Sequence, residues 1–136
     1  MVLNKATDYA LRMSLFLAKQ GGNNIKDAAS ISEEELIPKR FLFKIVRGLA
    51  REGIVKSVRG KNGGFKLARS PEEITLYDII EAVEGSIAVS KCLLDPNKCN
   101  KGATVHCILR KELEKMRNEQ IHKFQNINLK MLVDGA

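Results

Sequence analysis

The chain has 136 residues, 23 Lys and Arg against 16 Asp and Glu, and three cysteines. That length suits one domain, or one domain with an appendage, and a core that needs no covalent staples. No run of about 18 apolar residues is present, which excludes a membrane helix; the start, Met1 to Asp8, lacks the apolar region of a secretion signal, so a cytoplasmic protein with reduced thiols is expected.

The charge is one-sided. Residues 1–70 hold 14 basic and 6 acidic side chains, whereas residues 71–136 hold 9 and 10. A basic excess confined to one half points to a polyanion partner.

Asn4 is placed to cap a first helix, with Asp8 near its positive end. Tyr9, Ala10, Met13, Phe16 and Leu17 recur at helical spacing, and Gly21-Gly22-Asn23-Asn24 ends the helix. A short second helix is expected from about Ile25 to Ala29, followed by Ser30-Ile31-Ser32 and three glutamates. Residues 38–52 read as a third helix opened by Pro38 and ended by Gly53. Its core face is Leu42, Ile45, Val46 and Leu49; Lys39, Arg40, Phe43, Lys44, Arg47 and Arg51 fall largely on the other side.

Ile54 to Val58 reads as a strand, Arg59 to Gly64 as a glycine-rich turn, and Phe65 to Ala68 as the return strand. Between Lys39 and Arg69 there are ten Lys or Arg and one acid, Glu52. A helix followed by a basic hairpin is the order of a winged helix–turn–helix, in which the helix enters the major groove and the hairpin meets flanking backbone. The turn is not a nucleotide cradle, because no Gly-Lys-Ser/Thr pattern follows a strand and opens a helix. Lys39, Arg40, Lys44, Arg47, Arg59 and Lys61 are the expected DNA-contacting cations, with Phe43 beside Lys39 and Arg40 at the base-reading start of the helix.

A helix around Leu76 to Glu84 follows, buried through Leu76, Ile79, Ile80 and Val83 and ended by Gly85. All three cysteines lie between Cys92 and Cys107, with turn-forming Asp95-Pro96-Asn97 and Asn100-Lys101-Gly102 among them. Thiolates at spacings of seven and eight converge only if this segment is a loop. Three readings are open: an iron–sulfur cluster, zinc with His106, or unligated thiols of which one is redox-active. A long helix is then expected from about Val105 to Asn126. Its stripe of Leu109, Leu113, Met116, Gln120, Phe124 and Ile127 has little of its own domain left to cover it and suits a partner helix. The tail from Leu129 adds a short terminal helix. The expected fold is mainly α with a small β-hairpin: a winged helix–turn–helix over residues 1–85, a cysteine loop over 86–107, and a dimerisation helix and tail over 108–136.

Thr7-Asp8-Tyr9-Ala10-Leu11-Arg12, the string from Ser57 to Phe65, and the string from Ile74 to Gly85 resemble the IscR/NsrR family of bacterial winged-helix repressors. The three-cysteine loop sits where that family carries its own. The resemblance implies a homodimeric regulator, not an enzyme, that binds a roughly palindromic operator in double-stranded DNA. It also implies an iron–sulfur cluster, [2Fe–2S] in preference to [4Fe–4S], held by Cys92, Cys99 and Cys107. The regulators of iron–sulfur cluster assembly in this family typically place a ligand histidine three residues after the last cysteine; Arg110 stands there in this chain. His106 is one substitute. Asp8 is the other, because some relatives use a first-helix acid from the partner subunit, and water or an exogenous thiol stands behind both; the plain alternative for Asp8 is a helix-dipole partner or an i, i+4 pair with Arg12. The signal implied is iron–sulfur status, nitric oxide or redox state. Repression of iron–sulfur cluster biogenesis genes is the reading most like the family, and a zinc-stabilised or thiol-based regulator is the alternative.

Overall fold

The computed structural model describes residues 2–21, 23–98, 100–102 and 107–135. Helix α1 (Lys5–Lys19) begins where Asn4 Oδ1 accepts from the Thr7 amide at 2.8 Å. The helix presents Tyr9, Ala10, Met13, Phe16 and Leu17 to the core, and nothing on that face is wet. Glu84 closes its start from outside: one carboxylate oxygen accepts from the Asn4 amide at 3.3 Å and the other from the fully buried Thr7 hydroxyl at 3.1 Å.

Helix α2 is Ala28–Glu35, not the expected 25–29. Asp27 caps it by accepting from the Ser30 amide. Fully buried Ile31 then anchors a turn that carries three glutamates near its unfavourable negative end. Packing outweighs the local charge penalty, and the acids that read as a lead-in are helical. Of the residues expected to be helical, Ile25 lies in no regular element and Lys26 forms an antiparallel bridge: Lys26 and Phe65 exchange backbone hydrogen bonds of 3.0 and 2.8 Å.

Leu36 turns the chain in the left-handed conformation, φ 54°, a geometry that costs a leucine about 1 kcal/mol or more. Buried Ile37 follows, its carbonyl held by the Ser32 hydroxyl at 2.6 Å. Helix α3 (Lys39–Arg51) then buries the four expected residues, Leu42, Ile45, Val46 and Leu49. Strands β1 (Val55–Val58) and β2 (Gly64–Leu67) pair antiparallel, with Val55 opposite Leu67 and Val58 opposite Gly64. Gly64 has no room for a side chain, since a Cβ would lie 2.3 Å from the Lys26 carbonyl oxygen.

Helix α4 (Leu76–Glu84) opens with a reciprocal capping box between Thr75 and Asp78. Ile79, Ile80 and Ala82 are buried, while Leu76 and Val83, expected on that face, are half-buried. After Gly85 come a one-turn helix α5 (Lys91–Leu94) and a short 3-10 turn, Pro96–Lys98. The long helix α6 is Ile108–Gln125, starting later than the expected 105, with Cys107 as its cap; residues 103–106 lie outside the described residues. The tail is stitched back to the first unit. Thr75 and Asn128 form an antiparallel bridge, Leu76 donates to the Ile127 carbonyl, and Leu129 donates to the Ile74 carbonyl, both at 2.9 Å. Fully buried Leu129 starts α7 (Leu129–Asp134), which packs on α1. The mainly α fold with one hairpin is thus present as expected.

Helix α3 crosses α4 at Gly48, where an added Cβ would lie 2.8 Å from the Ala82 carbonyl oxygen. Alanine favours a helix interior by about 1 kcal/mol over glycine, but here it must push two packed backbones apart, which costs about 1–3 kcal/mol. Gly48→Ala is therefore expected to lower stability in urea unfolding despite its better propensity; a stabilised variant would show that the crossing relaxes freely.

Candidate nucleic-acid interface and cysteine site

The basic face starts at the N-terminus of α3. Pro38 stands at the cap position and supplies no side-chain acceptor, so the first-turn amides of α3 are not capped by a side chain. Lys39, Arg40, Phe43, Lys44 and Arg47 are all exposed, on the side opposite the buried stripe. The amphipathic pattern read from the sequence is thus the pattern in space. Arg59 and Lys61 are exposed at the tip of the β1–β2 hairpin. The Lys26–Phe65 bridge fixes the hairpin base to the entrance of α2. Cations are accordingly carried both by α3 and by the wing, whose base is bridged to the start of α2.

Behind this face lies an aromatic step that the sequence reading missed. Tyr9 of α1 meets Phe41 of α3 edge-on, with ring centroids 5.3 Å apart. The Arg40 guanidinium sits over Phe41 at 5.3 Å; Lys5 and Arg12 sit over Tyr9 at 5.1 and 5.3 Å. Each such contact is worth about 0.5–1 kcal/mol at an exposed site. Arg12 also donates to the Glu35 carbonyl at 3.3 Å, at the end of α2, and to Asp8 Oδ2 at 2.9 Å. Alternating aromatic and basic residues across α1 and α3 would have been the signal for this step.

Asp8, one expected fourth ligand, is half-exposed and paired within its own helix to Arg12, with Lys5 at 3.9 Å. That is the plain alternative read from the sequence. Among the described residues no group of three or more His, Cys, Asp or Glu gathers as a metal site. Cys99 and His106, both expected ligands, lie outside the described residues.

The two described cysteines are free, half-buried thiols. Cys92 sits in α5, with the Ser90 hydroxyl 3.3 Å from its sulfur. Cys107 caps α6, its sulfur accepting from the Arg110 amide at 3.4 Å. Helices α5 and α6 pack together, so the two thiols are carried by touching elements. Arg110 Nε, one turn away, is buried and has no hydrogen-bond partner among the described residues. Cysteine sulfur is the ligand type of an iron–sulfur cluster, and hydrogen bonds to sulfur are among the contacts that set such a cluster's potential.

Helix α6 leans on α4 and α5 and has no fully buried residue. Leu109 is 74% and Met116 52% exposed, while Leu113, Gln120 and Phe124 are half-buried. Arg117 Nε donates to the Ile87 carbonyl at 2.5 Å and fixes the helix against the segment after α4. The expected stripe is therefore only partly covered by its own chain. No helix among the described residues is long and apolar enough to cross a membrane.

The Asp27 cap of α2 titrates. Its hydrogen bonds from the Ser30 side chain and amide hold the carboxyl below the ordinary 3.8. A depressed carboxylate stabilises the fold above the unfolded value, and this contribution is lost as pH falls through the folded value. Asp27→Asn, which also caps, is expected to match the wild type above pH 4 or so and to lack this part of its acid-unfolding limb. Superimposable acid limbs would uncouple the cap from acid stability.

The model of the Rrf2 family, described as an iron-dependent transcriptional regulator, matches residues 3–135. A putative HTH-type transcriptional regulator of Aquifex aeolicus is 33% identical over 134 residues, 98% of this chain and 92% of the relative. The HTH-type transcriptional regulator NsrR of Bacillus licheniformis is 33% identical over 109 residues, 80% of this chain and 71% of the relative. Among solved structures, T. potens IscR is similar at a TM-score of 0.78 with 26% identity, covering 100% of this chain and 89% of that one. CymR, the global cysteine regulator of B. subtilis, is similar at 0.79 with 27% identity, covering 100% and 98%.

Proposed function

The chain belongs to the Rrf2 family of winged-helix, DNA-binding transcriptional regulators and is not an enzyme; on that premise we propose that it is an iron–sulfur cluster-sensing repressor of iron–sulfur cluster biogenesis genes. It would act in the cytoplasm as a homodimer on a roughly palindromic operator. The observation that carries the sensing part is the pair of free thiols, Cys92 and Cys107, on two touching helices, the second of which leans on α4.

Lys39, Arg40, Lys44, Arg47, Arg59 and Lys61 would contact phosphates, which position a protein without specifying sequence. The exposed start of α3 would read base edges. Leu109, Leu113, Met116, Gln120 and Phe124 would meet the same stripe of a second copy, and a two-fold pair of reading helices asks for a palindrome. Cys92, Cys99 and Cys107 would hold a cluster, [2Fe–2S] in preference to [4Fe–4S], with Asp8 of a second copy or His106 completing the set. When bound, that group supplies a redox-active, oxidant-sensitive centre. The chain's part is to convert occupancy of the loop into a change of angle between α6 and the reading unit. Occupancy changes operator affinity only if the two arrangements bind the group differently, and the coupling is reciprocal, typically ~5–150-fold.

A thiol-based sensor is the second reading. It is favoured by the likeness to CymR, also solved from Staphylococcus aureus in an oxidized form. Iron and sulfide counts on anaerobically purified protein separate the two.

Two measurements test the proposal. Arg59→Ala and Lys61→Ala are each expected to weaken binding on all DNA sequences and to reduce the salt slope by about one unit per contact; an unchanged slope in the double variant removes the wing from the interface. Cys92→Ala is expected to abolish the visible absorption of the anaerobic protein, leave fold and dimer intact, and shift affinity for one or more promoter fragments at fixed salt. Equal affinities of wild type and Cys92→Ala on every fragment would leave the loop a structural element only.

A further inference from the structure

Phe43 is an apolar ring in an unusual place. It is 51% exposed although α3 buries its four core residues almost completely, so its exposure is a matter of side, not of loose packing. One turn before it stands Lys39 and one turn after it Arg47; Arg40 and Lys44 flank it, and all four are exposed. Its neighbour Phe41 is engaged from both directions, by Tyr9 and by Arg40. Among the described residues no aromatic or cationic group takes up the Phe43 ring in this way.

An apolar ring set among four cations discriminates between occupants. A protein surface docking there would have to desolvate the cations or supply an acid for each. A DNA duplex pairs them with phosphates already in place. Within the major groove, a phenyl ring has no donor or acceptor with which to read base edges. The apolar feature the groove offers is the 5-methyl group of thymine.

We propose that Phe43 is a specificity-determining residue that packs on the 5-methyl group of a thymine in each operator half-site, an inference that rests on the DNA-binding reading above. The selection is made by methyl contact and shape, while Lys39 and Arg47 hold the ring at the groove by charge. Half-sites with cytosine at that position lack the methyl and are discriminated against, although no hydrogen bond to the base is made by this side chain.

The test begins with duplexes enriched from a random-sequence library by the purified full chain. Each thymine of an enriched half-site is then replaced singly by deoxyuridine, which removes the methyl and nothing else. Wild type is expected to lose about fourfold in affinity at one position of each half-site, the transfer worth of one buried methyl. Phe43→Ala is expected to be indifferent to uracil at that position, and Phe43→Leu, which keeps an apolar group, to remain sensitive. Wild-type indifference at every thymine overturns the proposal, as does an equal loss in Phe43→Ala, which would assign the effect to the shape of the DNA. A chain that enriches no duplex overturns the DNA-binding reading itself, and is thereby told apart from a failure of the methyl contact alone.

Discussion

Burial of one face of α1 against α3 and α4 is the contact on which the reading surface depends. Ala10, Met13 and Leu17 are fully buried there, facing Leu42, Ile45 and Leu49 of α3 and Ile79 of α4 within one core. Each fully buried aliphatic side chain is worth about 1.5–3 kcal/mol, so the orientation of α3 is set by packing on its inner side. Of the cations of this helix, Arg40 lies over the Phe41 ring and Arg51 donates to the Ala82 carbonyl. Among the described residues, the only ion pair made by a cation of α3 joins Arg51, at its far end, to Glu52. A surface that carries charge without pairing it internally is ready to pair it with phosphate.

The same core admits the tail. Leu129 enters it beside Ile74, and the Thr75–Asn128 bridge lies at the mouth of the capping box that starts α4. Helix α6 is therefore held at both ends, by this stitch after its last turn and by the packing of α5 and the Arg117–Ile87 contact nearer its start. Between these holds its stripe is only partly covered. Helix α6 packs on both α5 and α4, and α4 crosses α3 at Gly48, where the two backbones leave no room for a Cβ.

The wing gains its stiffness from a different device. The hairpin has four-residue strands, too few to be stable alone. Its third partner is the Lys26 bridge, and the close approach of Gly64 to the Lys26 carbonyl makes glycine obligatory at that point. Arg59 and Lys61 lie at the far end of this braced hairpin. The segment that reads locally as the start of α2 is consumed by this pairing, and the helix begins after it, at the Asp27 cap.

Much of this was legible in the chain alone. The 3.6-residue spacing of Leu42, Ile45, Val46 and Leu49, the Asn4 cap, the Gly53 and Gly85 stops and the alternation of the hairpin are local signals, and local physics decides them. The basic excess of the first half and the crowding of all cysteines between 92 and 107 are likewise properties of order along the chain. What only the tertiary structure decided are pairings between distant residues. Lys26 bridged to a strand because Phe65 offered free backbone groups, and the three glutamates became helical because Ile31 was pulled into the core. Glu84 reached back to Asn4 and Thr7, Tyr9 met Phe41, and Leu129 returned to Ile74. In each case the energy comes from burial or from a hydrogen bond across dozens of residues, and no window of neighbouring side chains contains its partner.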